Sequence, residues 1–273
     1  MLLYKDRSGH MDSLTTNTGA YKRRKFISSS KSVDLQGPLY HELFQMDRYL
    51  LNMTDVCLKL FRNKPSFCLM SDEGNPNYDI IIEDIAIKVR KIRVDPAIIY
   101  AHSLALQKSN AKYPYTKSAI KHLSLVKGST IAILENLFQD VKPQRIIMGM
   151  TSSNGVNRYY QLNPWNFKNY DLQQVTIYCD GVPVGGMPLK LDFNEERGVT
   201  NVAAYDQMYE SSGKWMTDGG NDITRTDFNE GYALFCLDLE PHFRNISLSL
   251  KTGKFDSNYS LEQRYRKQFH YLF

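Results

Sequence analysis

Cysteine is scarce in this 273-residue chain: Cys57, Cys68, Cys179 and Cys236 stand far apart, and no C-x-x-C pair exists. A zinc ribbon or a thiol redox motif therefore has no support in the spacing, and the four thiols are expected to be reduced and mostly buried. Long apolar runs are absent as well. Nothing approaches the ~18 uncharged apolar residues of a membrane span. The start, Met1-Leu-Leu-Tyr-Lys-Asp-Arg7, offers no stretch fit for a signal peptide. These gaps predict an intracellular, non-secreted protein without a membrane partner.

The usual catalytic signatures are missing too. His41-Glu42 begins like H-E-x-x-H, but residue 45 is Gln. There is no G-x-S-x-G elbow. Gly149-Met-Thr-Ser-Ser-Asn-Gly155 lacks the lysine of a phosphate loop, and Gly185-Gly186 is too short for one. Asp218, Asn221 and Asp222 match no calcium-loop spacing and read as a turn. His102 reads as a satisfied structural histidine within a helix. The expectation is of no catalytic residue, no metal and no cofactor, hence not an enzyme.

What is present is an ordinary globular composition, 42% hydrophobic and 23% charged, with 18 Tyr and 13 Phe against two Trp. Such aromatics favour half-buried strands. The net charge of +5 is localised. Residues 1–31 hold seven Lys/Arg and two acids, so the remainder balances to zero. The run Lys22-Arg23-Arg24-Lys25 is read as a basic polar segment or loop and is the candidate nucleic-acid contact.

Periodicity beyond residue 31 is that of strands. Asp55–Arg62 alternates, with Val56, Leu58 and Leu60 on one face. Tyr78–Val94 is the longest such pattern, with Ile81, Ile85, Ile87 and Val89 on one face. Asp95-Pro96 opens a helix over 95–110, the aspartate as cap and the proline in the first turn. Further strands are expected over 113–125, 144–150, 174–179 and 231–239. Asp180-Gly181 signals a hairpin turn, and residues 199–229 read as short helical turns and loops. The loop Asn163-Pro-Trp-Asn-Phe-Lys-Asn-Tyr170 supplies Trp165, Phe167 and Tyr170 as candidate interface aromatics. Strands in runs, with one clear helix, disfavour a parallel α/β sheet. They predict an all-β, antiparallel sandwich with long loops.

Several stretches also resemble proteins of the Maverick/Polinton elements, virus-like transposons of animal genomes that encode double jelly-roll capsid proteins. They are Tyr4–Asp12, Lys31–Gly37, Leu43–Asn52, Ala111–Pro114, Leu162–Phe167, Gly219–Arg225 and Gly231–Leu239. The likeness runs from about residue 4 to about 253. It implies an incomplete double jelly roll in four parts: the basic segment 1–31, the end of the first jelly roll with its helix (32–112), most of the second (113–250), and a poorly defined basic tail (251–273). It implies an N-terminally truncated copy, since family members extend further upstream. It implies a structural capsid-like protein that self-associates, as trimers when intact, with other capsid proteins as further partners and a virion-like particle or the nucleus as its place. Residues 22–25 would face packaged DNA. The alternative from the residues alone is a monomeric β-sandwich that binds a protein or carbohydrate through its aromatic loops.

Overall fold

Alternating apolar residues become a strand only where a second strand supplies the ladder, and that condition divides this chain. The computed structural model describes residues 4–52, 54–135, 137–138, 143–157, 159–179, 181–184, 188–213, 220–239, 255–261 and 267–269, the last two spans as backbone. Their contacts sort into two units: one made of 1–35, 66–76 and 120–273, the other of 36–65 and 77–119. The sequence reading places its boundaries at 31/32, 112/113 and 250/251. Here residues 1–35 belong with the later sheets, and the second boundary falls at 119/120.

In chain order the helices are α1 (Thr18–Ile27), α2 (Pro65–Cys68), α3 (Pro96–Lys108), α4 (Ser153–Asn157), α5 (Val202–Ser211) and α6 (Arg225–Asn229), with a 3-10 turn at Glu42–Phe44. The strands are β1 (Ser124–Leu125), β2 (Ile131–Leu134), β3 (Arg145–Ser152), β4 (Phe167–Lys168), β5 (Leu172–Cys179), β6 (Val182–Pro183), β7 (Leu189–Lys190), β8 (Glu230–Gly231), β9 (Leu234–Asp238), β10 (Phe255–Leu261) and β11 (Lys267–Phe269).

Every described strand lies in the first unit, and every ladder between the described strands is antiparallel. One sheet runs β1-β11-β3-β9. A second runs β2-β10-β5-β6, with β7 also on β5, and β4 pairs β8. The expected hairpin is present: Cys179 faces Val182 across the Asp180-Gly181 connection. The architecture is strand-rich and antiparallel with few, mostly short helices.

The core lies where β3, β5 and β9 meet α5 and α6. Met148, Met150, Leu172, Val175, Met208, Phe228 and Phe235 are buried there. Phe228 and Phe235 are fully enclosed. Their rings meet edge to face at 5.8 Å, and Phe193 and Tyr205 close the aromatic cluster. Each such ring contributes about 1.5–3 kcal/mol by leaving water. A smaller cluster holds Leu137, Ile146, Ile177 and Leu239.

The second unit contains the helix announced by Asp95-Pro96. Asp95 accepts from the Ala97 N–H at 2.8 Å and caps α3. The strands expected over 55–62 and 78–94 are not formed: neither stretch takes a ladder partner among the described residues. Their alternation is real, but the hydrogen bonds that would turn it into sheet have no second strand to go to. No described residue of this unit is buried. Polar ties hold it locally, such as Leu51 N–H to the Tyr113 hydroxyl and Arg48 to the Lys112 carbonyl, each at 3.0 Å. Over 113–125 only β1 is strand. The expectation of mostly buried thiols is corrected, since Cys57 and Cys68 are exposed, Cys179 is half-buried and only Cys236 is buried. His102 is exposed on α3. No described helix is long and apolar enough to cross a membrane.

Candidate functional site

The densest polar network of the first unit ties the N-terminal arm, residues 4–17, to two loops. It starts at Asn17, which is fully buried. Its side-chain oxygen accepts from the Gly19 and Ala20 N–H groups at 3.1 and 3.3 Å, capping α1, and from the Arg7 N–H at 3.1 Å. Its amide donates to the Met11 carbonyl at 3.2 Å. One side chain thus fixes both the helix and the arm that leads into it. Gly19 completes the fit, because a Cβ there would collide with the Lys5 carbonyl.

The arm presents two carboxylates to the Asn163–Asn166 loop. Asp12 accepts from the Asn163 N–H at 2.8 Å and the Asn166 amide at 2.7 Å, with the Lys168 ammonium 3.4 Å away. Asp6 accepts from the Asn163 amide at 3.0 Å and from the Arg23 guanidinium, which also reaches the Tyr4 carbonyl. The Tyr232 hydroxyl donates to the Asp6 carbonyl at 2.8 Å. Below the loop, the Phe167 ring lies on β3 at Gly149, where a Cβ would come within 2.6 Å of the ring.

Lys5 makes the third tie. Its ammonium meets Asp227 at 2.7 Å and also reaches the Asp222 carbonyl. Asp227 forms a capping box with Thr224, each side chain bonding the other's backbone N–H at 3.1 Å. Burial pushes the Asp227 carboxyl up, but hydrogen bonds from Lys5, Ser8 and Thr224 outweigh it and hold the group well below the usual carboxylate range. Burial, with the nearby carboxylate of Asp12, raises Tyr170 to about 12. Burial and the charges of Asp6 and Asp227 raise Tyr232 to about 12.

An open cleft of about 600 Å³ lies beside this network, lined among others by Asp12, Asn166, Lys168, Tyr170 and Glu230. Asp12 is held by several donors, and Tyr170 keeps its proton at neutral pH. The arrangement anchors the arm to the loop. Among the described residues no group of three or more His, Cys, Asp or Glu is placed to hold a metal.

The basic run falls on α1. Four consecutive residues at about 100° per residue spread around a helix rather than forming one face. Arg23 is taken into the arm's ion pair. Lys22 lies over the Tyr4 ring and Lys25 over the Tyr21 ring, while Arg24 is exposed. Of the aromatics, Phe167 is buried in the core, and Tyr170 borders the cleft with φ +50°. Trp165 is 37% exposed and meets Phe67 edge-on at 5.7 Å. Asp218 lies outside the described residues, and Asn221 closes a local turn by accepting from the Ile223 N–H at 3.1 Å.

Sequence reasoning passed over Asp6, Asp12, Asn17, Asn163 and Asp227. Two signals were available: Asn17 before a helix-compatible run, and Thr224-x-x-Asp227 in capping-box spacing. Residues of Tyr4–Asp12, Leu162–Phe167, Asp222–Asp227 and Tyr232 meet in this one network.

No protein-family model matches the chain, and no solved structure matches it. An uncharacterized protein of Caenorhabditis elegans is similar, at 27% identity over 205 residues, which is 73% of this chain. The chain spans about half, 48%, of that relative's length.

Proposed function

We propose that this chain is a structural, non-enzymatic, capsid-like protein of a virus-like mobile element, built on jelly-roll sandwiches and working by self-association. The observation that carries the reading is the exposure of strand-patterned apolar residues in the second unit. Leu60, Phe61, Ile81, Ile85 and Val89 are all more than half exposed. A monomer gains nothing from such a surface, while burial against other chains stabilises an assembly by about 25 cal/mol per Å². The antiparallel sheets and the family resemblance support the same reading. So does the arm network, whose titratable groups hold structure together. Trimers are the expected unit, and Lys22, Arg24 and Lys25 remain exposed for contact with DNA.

The second reading, a monomeric binding module, is favoured by the half-open Trp165 ring on its loop. It has less to offer from Phe167, which is internal. Negative-stain electron microscopy of the concentrated chain separates the two. The capsid reading expects regular arrays or closed particles. Isolated particles of 31.6 kDa at every concentration would overturn it.

A further inference from the structure

We infer that residues 80–94 are the contact strand between two copies of this chain, paired antiparallel about a two-fold axis at Ile87; this rests on the self-association reading above and names one of its contacts. Residues 81–94 are all exposed and Ile80 is half-exposed, and the segment takes no ladder partner among the described residues. Its apolar residues are open to solvent along its length: Ile81 is 83% exposed and Val89 70%. An exposed, strand-patterned segment without a ladder is completed by an added strand.

The charge pattern selects the occupant. The first half of the segment carries Glu83 and Asp84, and the second half Lys88, Arg90, Lys91 and Arg93. A parallel copy would set like charges side by side. An antiparallel copy centred on Ile87 sets Asp84 opposite Arg90 and Glu83 opposite Lys91. The same register sets Ile80 opposite Val94, Ile82 opposite Ile92, Ile85 opposite Val89, and Ile87 opposite its own copy. Each favourable pair occurs twice, as an isologous contact requires. The segment is bounded by Asp79, which lies 3.3 Å from Arg62, and by Asp95, which caps α3. The paired length therefore ends at 80 and 94. A one-residue slip would turn every side chain to the other face.

The test uses the full chain with Cys57 and Cys68 replaced by serine, so that no exposed native thiol competes. Mild oxidation of Ile87→Cys should give a disulfide-linked dimer, because opposed residues on the axis lie within bridging distance. Ala86→Cys, displaced from its copy by two positions along the ladder, should link far more slowly. Separately, D84R and R90D each set like charges opposite one another twice and should weaken association about tenfold or more. Mixing the two variants restores both opposite-charge pairs and should return wild-type affinity as a heterodimer. Equal cross-linking at 86 and 87, or charge variants that associate as wild type, would overturn this contact while leaving self-association standing. A wild-type chain that stays monomeric would overturn both.

Discussion

At the residue scale a few polar side chains of the first unit have several duties each. Asn17 caps α1 and bonds two backbone groups of the arm, all in a site closed to water. Asn17→Ala loses the cap and strands buried backbone donors, at a cost of about 2–4 kcal/mol. The check is chemical denaturation, with a lowered midpoint and an unchanged slope. Asp227 gives a pH prediction. Its folded carboxyl is held below the value it has in the unfolded chain, about 3.9. The stabilisation is therefore present above about pH 4 and is lost as pH falls through the folded value. Acid titration followed by arm proteolysis should show cleavage appearing below about pH 4 in the wild type. In Asp227→Asn the arm should be cleaved at all pH values. Tyr170 and Tyr232 have the opposite sign: raised to about 12 when folded, they favour the fold below about pH 10. That contribution fades as pH rises toward 12. Ultraviolet titration should show them ionising late, together with loss of structure.

At the element scale, the outcome for each segment follows from whether a partner is at hand. The strands read over 144–150 and 174–179 form as Arg145–Ser152 and Leu172–Cys179, because each has neighbours on both sides in its sheet. α3 was legible because its signals are local: Asp95 and Pro96 need nothing beyond the next turn. The alternation over 55–62 and 78–94 was legible as pattern and not as outcome, since pairing is a non-local property. The arm network was illegible for the same reason. Asp12 and Asn163 are 151 positions apart, and no local spacing joins them. α1 hid behind its charge, because Lys22–Lys25 reads as a solvated run and only Asn17 marks the helix start. Gly149 yields the element-scale prediction. Gly149→Ala drives a methyl into the Phe167 ring and should cost about 1–3 kcal/mol. Thermal unfolding should show it as a Tm several degrees lower, and Phe167→Leu should partly rescue it by making room. Phe228→Ala, at the closed centre of the aromatic cluster, should cost about 3–5 kcal/mol by the same assay.

At the scale of the whole molecule the two units divide the physical roles. The first buries its apolar residues, satisfies its network and fastens its own N-terminal arm. The second keeps strand-patterned apolar residues exposed, and that imbalance is what the proposed self-association would resolve. The most direct measurement is solution mass by light scattering over a wide concentration range. If the chain self-associates, the mass climbs in multiples of 31.6 kDa toward trimers and larger species as concentration rises. A constant 31.6 kDa throughout, with the second unit's apolar residues still accessible to solvent, would contradict it.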